Sequence, residues 1–437
     1  LDVERGRTES ALAVRYAALL AEVEARRSTP GPHPKPTNGQ REQRAKLDIE
    51  YSRKMIELAE SSPADPMARE ALIWVLNKPG KPDIGEYGDE FARAASLLVR
   101  HFGDDPEAIR LGLGLEYIQS ARRDSLLLGF YVSARGHEGR GLARLALAQY
   151  LACKAINVEY ARKLGARPKW QVKSEGNVVR EIEYDDERYA YQLELRQCDP
   201  KQIGDEAVRL FQEVIKEYGD VPYISRSQRE YEALLKQPTP KRNGKPLTEE
   251  DRRAIEQRLA QMKTLGQVAE ARLDEIFNLA EGKPAPEIDG LDMNGKPLKL
   301  SDYRGKVVML VFWGSWCGPC MAQVPIEREL VERFKGQPFA LLGIDCEADR
   351  NTGREVMARE RMTWPSWFDG TQGTGPIVSR YHIRGYPSVF VIDAKGVIRS
   401  RAGAGYEAVI ERLLNELRQP DSSGTRAPSP PRLQRGD

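Results

Sequence analysis

Over most of the chain apolar residues recur at three- and four-residue spacing, and only the last third changes to short continuous apolar runs. The first stretch, to about Arg27, is rich in Ala, Leu, Glu and Arg and predicts a helix. Ser28-Thr29-Pro30-Gly31-Pro32-His33-Pro34-Lys35-Pro36 can hold neither helix nor sheet and reads as a linker. From about Gln40 to Leu164 the pattern is helical almost throughout, with Asp65-Pro66 and Asp105-Pro106 each placing a capping acceptor before a proline at the first helical position. A helix from about Glu138 to Leu164 carries two apolar faces. Leu147, Leu151, Ala155 and Val158 form one; Leu142, Leu145, Cys153, Ile156 and Tyr160 form the other. A helix apolar on two sides is expected to lie between neighbours in a layered array. Lys169–Lys173 and Asn177–Glu183 break the pattern and can pair as a small hairpin across Ser174-Glu175-Gly176. Helices resume after Asp199-Pro200. Lys236–Lys245 is a Pro/Lys-rich loop, and Thr248 with Asp251 caps a helix whose character continues to about Ala280.

At Gly282 the texture changes. Ile288–Leu300 holds two short extended runs around Asn294-Gly295, the strongest short hairpin signal. Val307–Trp313 is a continuous apolar run of buried-strand length. A helix to about Phe334 follows, then strand Phe339–Ile344, helix Arg354–Arg361, a short run at Trp364–Phe368, strands Ser388–Ile392 and Val397–Arg401, and a helix near Tyr406–Leu417. That order is an α/β layered domain. The expected organisation is therefore an N-terminal helix and linker (1–39), a mainly helical domain (40–281), an α/β domain (282–418) and a Pro/Ser/Arg-rich disordered tail (419–437).

Length supports this division, since 437 residues suffice for about three units at roughly 150 residues each. Charge narrows the function: 67 Lys+Arg against 65 Asp+Glu leave a net charge of +2, which argues against a nucleic-acid partner. A mean hydropathy of -0.57 and the lack of a long apolar run argue against a transmembrane span. Five cysteines are too few for a disulfide scaffold. The chain opens on Leu1 rather than Met, as expected where an N-terminal segment has been removed.

The chemistry concentrates at Trp316-Cys317-Gly318-Pro319-Cys320, where an apolar strand hands over to a helix. A thiol at a helix N-terminus faces unpaired N–H groups and the positive end of the dipole, which favour thiolate. Lowering a thiol pKa from about 8.5 to about 7 requires only ~2 kcal/mol. Cys317, with the exposed sulfur, is the expected nucleophile, and Cys320 one turn later the resolving thiol. An isolated C-x-x-C is also half of a zinc site, but no second C-x-x-C or spaced His pair accompanies it, and neither metal nor cofactor is expected. Cys346, Cys153 and Cys198 read as small core fillers, and His382 as an ordinary surface or core residue.

Residues 282–418 resemble the thioredoxin superfamily, and within it the bacterial extracytoplasmic thiol–disulfide oxidoreductases of the TlpA/ResA type, grouped with the redoxin and AhpC/TSA families. The matching stretches are Gly282–Pro286, Leu300–Lys306, Phe312–Cys320, Gly385–Ser388 and Val391–Gly396. The resemblance implies an α/β thioredoxin fold and a cis proline at Pro387 against the cysteine pair, with Tyr386 offering backbone hydrogen bonds to a substrate strand. It also implies the reducing-type dipeptide Gly318-Pro319, a protein disulfide as substrate, an upstream thiol as electron donor, and a location outside the cytoplasm. Farther upstream, Glu206–Tyr218 resembles the second helix of a tetratricopeptide unit, although no regular period is found.

Two positions depart from the family pattern. Val311 stands where thioredoxins carry a buried Asp, and Gln323 where ResA-type proteins carry a Glu three residues after the second cysteine. Without those acids Cys317 is expected to titrate as a near-single group. Two rival functions stay in view. One is a thiol peroxidase, which needs Thr or Ser three residues before the reactive cysteine where Gly314 stands; the other is a helical partner-binding module with an accessory redox domain.

Overall fold

The structure is a computed structural model that describes residues 11–27, 38–77, 88–115, 120–163, 169–174, 177–183, 186–224, 226–237, 241–242, 245–260, 263–370, 375–401 and 405–418. The Pro-rich segment 28–36 and the tail 419–437 lie outside the described residues. The chain divides into two compact units, Leu1–Arg272 and Leu273–Asp437.

The first unit is built from α1 (Ala11–Arg27), α2 (Asn38–Ser61), α3 (Pro66–Leu76), α4 (Gly88–Phe102), α5 (Pro106–Ile109), α6 (Ala121–Ser133), α7 (His137–Lys163), α8 (Asp186–Gln197) and α9 (Pro200–Tyr218), then α10 (Arg226–Leu235) and α11 (Glu249–Ala260). The hairpin β1 (Lys169–Ser174) and β2 (Asn177–Glu183) interrupts the helices where the sequence predicted it. Short pairs β3 (Pro222–Tyr223) with β6 (Lys263–Thr264), and β4 (Lys241–Arg242) with β5 (Lys245–Pro246), punctuate the end of the unit. Asp65, Asp105 and Asp199 each accept a backbone N–H two residues on and precede a proline, so the capping signals act as read.

The central element is α7, which packs against α6, α8 and α9. A Cβ on Gly141 would lie 2.8 Å from the Tyr218 Cβ, so α7 and α9 approach closely only because glycine stands there. Of its two predicted apolar faces one departs from expectation, since Ile156 is 70% exposed. The reason is length. Lys154 pairs with Asp124 at 2.6 Å and Tyr150 bonds Ser120, so α6 begins opposite Tyr150–Lys154 and Ile156 falls beyond it.

The second unit opens with the end of α12 (Leu265–Asn278), nine residues before the expected boundary at Gly282. Leu279, just past that helix, is buried with Ala285, Ile288 and Phe390. The hairpin β7 (Asp289–Leu291) and β8 (Pro297–Lys299) turns at Asn294-Gly295, with Gly295 at φ +80°. Next come β9 (Val307–Trp313), α13 (Gly318–Arg333), β10 (Phe339–Asp345), α14 (Arg350–Arg359), β11 (Ser366–Phe368), α15 (Pro376–Arg380), β12 (Ser388–Ile392), β13 (Ile398–Ser400) and α16 (Tyr406–Arg418). The sheet order is β11-β10-β9-β12-β13, with β9, β10 and β11 parallel and β12 antiparallel to both its neighbours. This mixed sheet, clasped by helices, is the thioredoxin fold. All of β9 is buried, as a strand covered on both faces must be. Val307, Met309, Val311 and Trp313 share a core with α13, α14 and α16; Val308, Leu310 and Phe312 pack in the second core with Tyr381 and Phe390.

Candidate active site

At the C-terminal end of β9 the chain turns through Gly314–Trp316 into α13. Cys317 is the N-cap: its carbonyl accepts the Met321 N–H at 3.1 Å, and its Sγ accepts the Cys320 N–H at 3.1 Å. Gly318 and Pro319 open the helix, where a proline costs no hydrogen bond. One turn brings Cys320 back, and the two sulfurs are joined as a disulfide. The expected exposed sulfur is not found in this bonded state. Cys317 is 6% exposed and Cys320 2%, because both pack into the core beneath α13. Cys317 nevertheless remains the more accessible of the two.

Around the pair, Trp316 is 49% exposed and lies edge-on to Tyr386, with ring centroids 4.9 Å apart. A Cβ on Gly314 would meet the Trp316 indole at 2.6 Å, so a side chain at 314 cannot coexist with this placement of Trp316. The Tyr386–Pro387 peptide bond is cis, and both residues are half-buried at the start of β12, beside β9. Behind them the Tyr386 hydroxyl hydrogen-bonds Cys346, whose thiol burial pushes up to about 12. Gln323 lies half-buried on α13, and its Oε1 is enclosed with no hydrogen-bond partner among the described residues. Val311 faces the core that holds the cysteine pair. His382 instead pairs with Asp274 at 2.6 Å and holds that carboxyl below its ordinary range.

The sequence reading missed one acid on this face. Glu327, on α13, is only 3% exposed, and burial pushes its carboxyl up to about 7. The signal was present: Cys320, Val324 and Glu327 fall at i, i+4 and i+7, one helical stripe, so a glutamate there had to be buried. A second acid, Asp345 at the end of β10, is fully buried and also raised to about 7, by burial first and then by the charge of Glu347.

A dithiol–disulfide pair at a helix N-terminus, flanked by an aromatic and a proline-linked backbone edge, can exchange disulfides with an extended peptide. Comparison with known proteins finds similarity to thiol-disulfide oxidoreductases. The pattern of the AhpC/TSA family matches residues 282–401. The thiol-disulfide oxidoreductase ResA of Geobacillus kaustophilus is 30% identical over 141 residues, 32% of this chain and 79% of that protein. ResA of Bacillus subtilis is 28% identical over 148 residues, 34% of this chain and 81% of that protein. Among solved structures, a thiol-disulfide oxidoreductase from Bacteroides fragilis is 26% identical and covers 31% of this chain and 99% of its own, with a TM-score of 0.29.

Proposed function

From the premise that this chain belongs, through its C-terminal unit, to the family of the ResA thiol-disulfide oxidoreductases, we propose that it reduces protein disulfides outside the cytoplasm. Cys317 acts as nucleophile and Cys320 as resolving thiol. In the reduced enzyme the Cys317 thiolate attacks one sulfur of the target disulfide. The new sulfur–sulfur bond forms as the target bond breaks, and the departing target sulfur leaves as thiolate and is protonated. Cys320 then gives up its proton and attacks the Cys317 sulfur, releasing the second target thiol. Two electrons have passed to the target, and the enzyme is left with the Cys317–Cys320 disulfide seen here. An upstream thiol donor returns two electrons by the reverse exchange.

The observation that carries this reading is the cysteine pair at the start of α13 beside Trp316, Tyr386 and Pro387. In this reading a substrate strand would lie along the backbone at Tyr386, next to the cis Pro387. The peroxidase alternative is disfavoured because Gly314 offers no hydroxyl three residues before Cys317 to hold a peroxide. Insulin reduction by the reduced chain tests the proposal, with Cys317→Ser expected to abolish it. A Cys320→Ser variant should accumulate mixed disulfides with its targets. A reduced wild-type chain that leaves insulin intact contradicts the reading.

A further inference from the structure

The turn that presents Cys317 is held from below by a pair of buried acids. The Ser315 N–H, two residues before Cys317, donates to the Glu347 carboxylate. The Glu347 N–H in turn donates to Asp345 Oδ1 at 3.0 Å. Neither acid is free to wander: Glu347 is 5% exposed and Asp345 is 0%. Asp345 is also fixed through its backbone. It pairs with Trp313 across β9, its carbonyl accepts the Asp369 N–H at 2.9 Å, and the next N–H, that of Cys346, donates to the Trp313 carbonyl at 2.9 Å. Its second oxygen, Oδ2, has no hydrogen-bond partner among the described residues and fills the space where a side chain on Gly353 would stand, 1.8 Å from that Cβ position. A buried carboxylate oxygen without a donor is costly, and nothing in the packing of an ordinary strand end requires one.

We propose that Glu347 and Asp345 are positioning residues of the thiol–disulfide reaction: Glu347 anchors the Ser315–Cys317 turn, and Asp345 anchors Glu347. The proposal rests on the functional reading above. It gives the site an acid pair from the strand beside β9, where Val311 and Gln323 supply none. Asp345 is pushed up to about 7, so its charge changes within the working range of a thiol enzyme. The groups facing it are Glu347 and Cys346 on its own segment, Asp349 and Arg350 at the start of α14, and Asp369 after β11; Trp313 on β9 brings no charge. When Asp345 ionises, a negative charge appears beneath the turn and disfavours thiolate above it.

The test is the rate of Cys317 alkylation against pH in the reduced full chain, beside insulin reduction. Where the sequence alone predicts near-single titration of Cys317, the wild-type curve should instead show an inflection near pH 7 besides that of the thiol itself, supplied by Asp345. Asp345→Asn, which keeps the shape, should remove that inflection. Glu327→Gln, which alters the other raised carboxyl on this sheet face, should leave it in place. Glu347→Ala should lower insulin reduction at pH 7 about tenfold, the scale of a lost hydrogen bond to a charged group, and Glu347→Gln should recover most of that loss because its amide oxygen still accepts the Ser315 N–H. If Glu347→Ala fails to fold, the Asp345→Asn curve decides alone. An Asp345→Asn curve superimposable on wild type, or an inflection lost with Glu327→Gln instead, overturns the proposal. A wild-type chain that alkylates as described yet leaves insulin intact contradicts the functional reading and not the acid pair.

Discussion

Glu327 gains a proton on folding, because burial raises its carboxyl to about 7 from the ordinary carboxylate range. The native state therefore binds more protons than the unfolded chain between about pH 4.5 and pH 7, and stability must fall as pH rises through that window. The contribution is fully present below the unfolded value and lost above the folded one. The loss is on the order of 3 kcal/mol for this group. Glu327→Gln should flatten the fall, so urea unfolding at pH 5 and pH 8 should separate wild type from variant chiefly at pH 8. Equal gains at both pH values would mean that the carboxyl does not titrate in this window. Gln323 offers a second residue-scale prediction. A Gln323→Glu variant places a charge where the enclosed Oε1 lies, and its Cys317 alkylation curve should shift to higher pH. An unshifted curve would remove position 323 from the electrostatics of the site.

At the scale of elements, the proposed order of reaction of the two cysteines follows from α13. Cys317 stands at the positive end of the helix and is the less buried of the pair, whereas Cys320 lies inside the first turn. In the reduced chain, limiting iodoacetamide should label Cys317 at least about tenfold faster than Cys320, read by peptide mass spectrometry. Comparable rates would sink the assignment. The same elements show what the sequence discloses. β9 and β12 were legible because strands buried on both faces read as unbroken apolar runs, and the β7–β8 hairpin because Asn294-Gly295 suits a turn with positive φ. The start of α13 was legible because Cys317-Gly318-Pro319-Cys320 is both its cap and its chemistry. The five-residue α15 was not, being too short to show a period. Nor was the Asp345–Glu347 arrangement, since it depends on β10 ending beside β9, a pairing that no local pattern encodes.

For the molecule as a whole, the second unit starts earlier than the change of texture at Gly282. Leu279 is 1% exposed in its core, and Glu275 pairs with Arg384 at 3.1 Å and Arg401 at 2.6 Å. A fragment beginning at Leu273 should therefore be more stable than one beginning at Gly282. Burial of one leucine alone is worth about 2 kcal/mol, and the pairs to Glu275 add to it. Urea midpoints of the two fragments measure the difference, and identical midpoints would place the boundary at Gly282. If the helical unit selects substrates, the longer fragment should match the full chain on insulin and fall behind it on natural targets captured by Cys320→Ser.

The burial of Cys346 behind Tyr386 bears on the fidelity of the proposed exchange. A thiol raised to about 12 is ionised only to about one part in a hundred thousand at pH 7, against a few per cent for an ordinary cysteine. Exchange needs the ionised form, so burial disfavours reaction at Cys346 although it lies one tyrosine from the proposed site of exchange. A cysteine in that place would otherwise compete with Cys320 for the mixed disulfide and strand the electrons in a wrong pairing. Burial holds Cys346 as a thiol, which leaves Cys320 to resolve the intermediate of the proposed exchange.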